Sequence, residues 1–140
     1  QAWVYGEMAH FGQYNNNPIG AYYNIGTDMW QVENRNFEDL PLNAQFNVLY
    51  QEPSANAYVH TAETVNTSGH ITYINHPLLN DSPCAQFQVT PVGFSTNPHH
   101  IGVYYTNSTW AIFNQDIEDI KIGNDFYIIV SAERLQNAAT

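Results

Sequence analysis

One cysteine and three cations are all this 140-residue chain has of disulfide-forming and positively charged chemistry. Cys84 alone cannot close an intramolecular disulfide, so a cross-linked scaffold is excluded and no redox compartment is implied. Arg35, Lys121 and Arg134 stand against 13 acidic residues, a formal net charge of -10. Nucleic-acid affinity comes from counterions displaced by many Lys and Arg, and three cations cannot line such a groove. An anionic membrane surface is disfavoured on the same ground. The longest apolar run, Phe126-Tyr127-Ile128-Ile129-Val130, falls far short of the ~20 residues of a membrane-spanning helix. No basic segment followed by an apolar one opens the sequence, so any secretion signal is expected to have been removed. The expected partners include neither nucleic acid nor a membrane.

Helical periodicity is missing as well. No window of eleven or more residues carries the apolar spacing of an amphipathic helix, and only Ile117 to Lys121 and Ala132 to Ala138 offer a turn or two. What is present is short and β-like. Ile19-Gly20-Ala21-Tyr22-Tyr23, Phe46-Asn47-Val48-Leu49-Tyr50, His70-Ile71-Thr72-Tyr73-Ile74 and Phe87-Gln88-Val89 alternate or run apolar, separated by Asn, Gly, Pro and Asp. Charged residues make up 11%, against about 25% in an average soluble domain. Asn, Thr, Gln and Ser take their place as a neutral coat. The expected fold is all-β and sandwich-like, with many short strands.

An internal repeat organises these segments. Asn17-Pro18-Ile19-Gly20-Ala21-Tyr22-Tyr23 aligns with His99-His100-Ile101-Gly102-Val103-Tyr104-Tyr105. Downstream, Trp30 aligns with Trp110, Asn34 with Asn114, Glu38-Asp39 with Glu118-Asp119, Leu40 with Ile120, and Leu42 with Ile122. Phe46-Asn47-Val48 falls on Phe126-Tyr127-Ile128, and the spacing differs only at a hairpin tip, Asn24 to Met29 against Thr106 to Thr109. The reading is two related sandwich-like units in tandem: residues 1–53, residues 54–133, and a tail of residues 134–140. Residues 1–18 match only the stretch from Pro83 to His100, so the first unit is expected to lack the leading strands that the second draws from Tyr58 to Thr90. An unpaired sheet edge results, to be filled by the block between the copies, by the tail, or by another molecule.

Val59-His60-Thr61-Ala62, Asn66-Thr67-Ser68-Gly69, Asn75-His76-Pro77-Leu78, Ile101-Gly102-Val103-Tyr104-Tyr105 and Trp110-Ala111-Ile112-Phe113-Asn114-Gln115-Asp116 resemble a tandem β repeat of unknown function. That repeat occurs in secreted and cell-surface proteins, mainly bacterial. The resemblance covers Tyr58 to Ser131 and is carried most specifically by Trp110 to Asp116. It implies a β fold and an extracellular location, and supplies no active site.

Residues with chemical potential form no recognisable constellation. Six histidines (His10, His60, His70, His76, His99, His100) show no ligand spacing, and neighbours in a strand point to opposite faces. They are expected to hydrogen-bond the backbone at strand ends, a zinc or copper site built from distant histidines being the alternative. Glu38-Asp39 and Asp116, Glu118, Asp119 with Asp125 recur in repeated loops, where capping of turns is the expectation. No cofactor is implied beyond weak calcium binding in those loops. Cys84 is expected to be a buried, inert thiol at the head of a strand. Trp30 and Trp110 are expected each to fill the core of its own unit. No nucleophile elbow or phosphate loop is present, so no enzyme is expected; a hydrolase using Asp116 and Glu118 is the weakest reading.

Trp3, Val4, Tyr5, Phe11 and Tyr14 lie outside the repeat pattern, where the leading strands are missing, and with Arg134 and Leu135 they are the expected subunit interface. Three sequons, at Asn66, Asn80 and Asn107, mark surface loops and carry glycans if the source glycosylates secreted proteins. The expected function is therefore structural: a secreted subunit of an extracellular filament or surface layer, its partner another copy of itself, assembling by exchange of β-strands. A carbohydrate-binding or adhesive module is the second reading, since tyrosines among amides suit sugar rings.

Overall fold

The computed structural model describes residues 13–93 and 97–131, and these residues form strands and turns with no helix. Nine strands follow in chain order: β1 (Ile19–Asn24), β2 (Met29–Asn34), β3 (Ala57–Thr61), β4 (Thr67–Ser68), β5 (Ile71–Tyr73), β6 (Phe87–Pro91), β7 (Ile101–Thr106), β8 (Thr109–Asn114) and β9 (Asp125–Val130). All strand-to-strand ladders are antiparallel. The chain is all-β, and its sheets have the character of a β-sandwich.

Strand β9 shows why. Its residues alternate, with Phe126, Ile128 and Val130 buried and Asp125, Tyr127 and Ile129 half-buried, the period of a strand with one face on a core. It lies between β3 and β6, with Ile128 opposite both Tyr58 and Val89. The second sheet runs β4-β5-β8-β7. The side chains of Phe126, Ile128 and Val130 cluster with Ile112 of β8, and with Ala62, Ile74, Leu79 and Ile120 from beside the strands. Trp110 flanks this core edge-on to Phe87, ring centroids 5.0 Å apart, and donates its indole N–H to Ser82 O at 2.9 Å. That tryptophan does pack against a core, with its polar atom satisfied.

The β1–β2 hairpin is a separate sheet. It meets the others through a parallel bridge between Ala21 and Val92, with Gly93 N–H donating to Ala21 O at 2.9 Å. Gly93 is required there: a Cβ on it would lie 2.0 Å from Cδ1 of Tyr22, and nothing larger than hydrogen fits. Trp30 stands edge-on to Tyr127 of β9 at 5.6 Å across the same junction.

Three local expectations fail. Phe46-Asn47-Val48, aligned with the middle of β9, forms no strand, and Val48 is exposed. β9 is held by partners on both edges, and no described residues flank Phe46 in that way, so the same pattern finds no ladder. Ile117 to Lys121 forms no helix; Ile117 takes a left-handed φ of 61° and Ile120 N–H bonds to Gly69 O at 3.0 Å. Cys84 is neither buried nor at the head of a strand. It is exposed in a turn after Pro83, closed by Ala85 N–H to Ser82 O at 3.1 Å.

Candidate assembly surface

The hydrogen-bond parity of the two hairpins defines the surface. Arg35 N–H donates to Pro18 O at 2.7 Å, and Gln115 N–H to His100 O at 2.8 Å. Counting along the antiparallel registers, the backbone of Met29, Gln31 and Glu33 faces β1, while that of Thr109, Ala111 and Phe113 faces β7. The alternate residues turn their N–H and C=O groups to the other edge: Trp30, Val32 and Asn34 on β2, Trp110, Ile112 and Asn114 on β8. On β8 this edge is filled. Ile74 N–H donates to Trp110 O at 2.8 Å, Asn114 N–H donates to His70 O at 3.0 Å, and Thr72 sits opposite Ile112. On β2 no strand among the described residues pairs with it, although Asn34 O accepts from Phe37 N–H at 3.2 Å.

Apart from that edge, aligned residues make matching bonds. Asn15 Nδ2 donates to Asn34 Oδ1 at 2.7 Å, and Asn97 Nδ2 to Asn114 Oδ1 at 2.9 Å. Asn34 and Asn114 each donate onward to the carbonyl of Glu38 or Glu118, at 2.9 and 2.8 Å. Asn36 and Asp116 accept from the backbone N–H of those same glutamates, at 3.1 and 3.2 Å. Between the two asparagine bonds the chain turns through Phe37 and Ile117, non-glycine residues at φ of 67° and 61°. Such strain persists only where surroundings over-determine it, and here the buried asparagines do so. The recurring acids thus contribute through backbone and turn bonds, and Asp116 also meets His99 Nδ1 at 2.7 Å. Among the described residues no three His, Cys, Asp or Glu side chains come together as metal ligands would.

Exposure is lopsided. Among the described residues, twelve of the seventeen exposed large apolar side chains fall in residues 13–53, whereas every buried hydrophobic side chain of the core lies beyond residue 56. Trp30 therefore does not fill a core of its own unit; it is 52% exposed, resting on Tyr23 at 5.7 Å and on Tyr127. Met29 and Ile25 are exposed beside it, with Val48, Leu49 and Tyr50 exposed further along the chain.

Of the interface residues expected from sequence, Tyr14 is exposed, while Trp3, Val4, Tyr5, Phe11, Arg134 and Leu135 lie outside the described residues. Sequence reasoning missed Ile25 and Met29. The signal was available: the two-residue insertion places Ile25 where the second hairpin turns on Asn107 and Ser108, both at positive φ. The sequons differ in kind. Asn66 Nδ2 donates to Thr61 O at 3.1 Å and Asn80 Nδ2 to Asn75 Oδ1 at 2.8 Å, so the nitrogen a glycan needs is already engaged. Asn107 stands exposed at a hairpin tip.

A groove of about 870 Å3 runs between β3 and the β5 region, lined by Tyr58, His60, Asn66, Tyr73, His76 and Asn80 among others. Tyr58 and His76 stack with centroids 4.1 Å apart. His60 is buried, with Nε2 2.9 Å from Thr72 Oγ1. Burial lowers its pKa below the usual 6.5, with Asp125 opposing the shift. The unfolded chain then binds a proton that the folded one refuses, so stability is full above about pH 6.5 and falls as pH drops below it. The urea midpoint is expected to decrease between about pH 7.5 and about pH 5, with a shallower decrease in His60→Gln. An unchanged slope in that variant would contradict this role.

A family model described as a domain of unknown function, DUF7452, matches residues 13–130. The chain belongs to the DUF7452 family. The match runs without a break through both hairpins and the core, so this DUF7452 domain takes in the exposed β2 edge as well as the closed sheets. No curated protein and no solved structure matches the chain.

Proposed function

We propose that this DUF7452 protein is a structural subunit of an extracellular filament or surface assembly, built from two copies of one β unit and joined head-to-tail by strand complementation. The observation that carries this reading is the β2 edge, where Trp30, Val32 and the N–H of Asn34 present the backbone groups whose counterparts on β8 face the strand at residues 70–74. A strand from a second molecule would supply the missing ladder and cover Met29 and Trp30. Donor and acceptor surfaces differ, so the contact does not close on itself and propagates. Removing about 100 Å2 of apolar surface from each of Ile25, Met29 and Trp30 contributes about 7 kcal/mol, part of which offsets the entropy of association. The segment from Gln1 to Glu7, with Trp3, Val4 and Tyr5, is the donor of choice, and Arg134 and Leu135 belong to the same junction. A neutral coat and the resemblance to a cell-surface repeat support a secreted location.

The groove beside Tyr58 favours a second reading, a secreted saccharide-binding module, because amides surround aromatic rings there. Sedimentation velocity and negative-stain microscopy over a concentration series separate the two. Threads that lengthen with concentration are expected. Monodisperse monomers at the highest concentration would overturn the filament reading, and binding of such monomers to a glycan array would install the other.

A further inference from the structure

At the groove beside Tyr58, polar side chains from β3, β4 and β5 converge on Asn66, largely out of water. Thr72 is 0% exposed and His60 is buried with it. His60 Nε2 lies 2.9 Å from Thr72 Oγ1, and Thr72 Oγ1 lies 3.2 Å from Asn66 Oδ1. Thr67, opposite Thr72 in the β4–β5 register, brings its hydroxyl within 2.9 Å of Thr72 Oγ1 and 2.7 Å of Asn66 Oδ1. Asn66 Oδ1 also accepts from Glu63 N–H at 2.7 Å. A hydroxyl with an imidazole in hydrogen-bond reach is an activated nucleophile. A carbonyl oxygen set against two donors at this distance is placed as in an oxyanion hole. The filament reading uses none of these groups.

We infer that the folded chain joins Thr72 to Asn66 through an ester bond of its own making. Thr72 Oγ1 attacks Cγ of Asn66 while His60 Nε2 takes the hydroxyl proton. Negative charge gathers on Oδ1, where Glu63 N–H and the Thr67 hydroxyl hold it. The imidazolium then returns its proton to Nδ2, the Cγ–N bond breaks, and ammonia leaves by the groove that His60, Thr61 and Asn66 line. One C–O bond replaces one C–N bond, with no oxidant and no second substrate. Cγ is one carbonyl bond from Oδ1, hence at most about 4.4 Å from Thr72 Oγ1, and a shift of about 1 Å brings the two to attacking distance. Burial lowers the pKa of His60, so the ring is neutral at about pH 7 and free to accept, while Asp125 favours the cation it becomes. Ammonia lost to dilute solution drives the exchange, and the burial of Thr72 keeps water from reversing it. The product fastens β4, a strand of two residues at the end of its sheet, to the strand that closes β8.

Intact mass and peptide mapping of the denatured chain test this. The wild-type chain is expected to be lighter than its sequence by about 17 Da, one ammonia, with the loss in the peptide holding residues 66–72. Tandem spectra should show no backbone fragments between those two residues, and alkali should open the ring by adding one water. Thr72→Val and His60→Gln should each abolish the loss, and Thr72→Ser should keep it. A wild-type mass equal to that of the sequence would overturn the inference. So would a loss confined to Gln1, which can cyclise alone, or a loss at Asn66 that persists in Thr72→Val, the mark of a succinimide. Should Thr72→Val fail to fold, the wild-type spectra decide, since a succinimide leaves the fragments between residues 66 and 72 intact. Each outcome is independent of whether threads form.

Discussion

On the proposed assembly, Val32→Pro is expected to leave a folded subunit that forms no threads. Val32 lies at the centre of β2, opposite Ala21, and its N–H points away from β1. Proline there costs the hairpin no ladder bond, since only the neighbours Gln31 and Glu33 bond to β1. It does remove the middle donor of the open edge, and its ring meets any strand laid alongside. The aligned Ile112 on β8 shows what is lost: it sits opposite Thr72 in a formed ladder, 0% exposed. The expected change is a rise in critical concentration on the order of 100-fold or more, equivalent to about 2.7 kcal/mol. It is read by pelleting and microscopy, with circular dichroism to verify the fold. Threads of wild-type length and abundance would show that the β2 edge is not where subunits join.

The second large effect belongs to stability. Phe126→Ala removes a 0% exposed ring from the middle of the core cluster, where it contacts both sheets. Its neighbours come from β8, β9 and three loops, so the cavity cannot collapse without moving several elements. The expected cost is about 3–5 kcal/mol, a large part of the about 5–15 kcal/mol that holds an ordinary domain together. Urea denaturation followed by near-ultraviolet dichroism measures it. Val48→Ala is the control: an 80% exposed side chain with no core around it should change stability by less than about 0.5 kcal/mol in the isolated subunit. Comparable losses in the two variants would mean that the apolar residues of the first region carry a core of their own.

Much of the strand content was legible because period-two alternation is local. Phe126 to Val130 shows a buried face and a half-buried one in the same order that its residues predict. The hairpins at Ile19 and Ile101 were readable for the same reason, and the matched asparagines 34 and 114 explain why the alignment continues past the strands. Phe46 to Tyr50 is the instructive failure. It carries the same pattern as β9, yet a strand is defined by its partners, and pattern alone does not provide them. Cys84 and Trp30 failed likewise: burial belongs to what packs around a residue, and a turn after Pro83 or a hairpin without a facing sheet leaves even an apolar side chain in water.

Composition and neighbours within a few positions suffice for the all-β class, for the shortage of cations that disfavours nucleic acid, and for the alignment of residues around two hairpins. Which strand edges find a partner among the described residues follows only from the three-dimensional arrangement. Whether β2 and β8 are closed depends on a strand some forty residues away, Ile71–Tyr73, which reaches β8 but pairs with no residue of β2. Backbone hydrogen bonding is a pairwise, long-range assignment, so two hairpins with aligned residues differ among the described residues: β8 is sealed by a neighbouring strand and β2 is not.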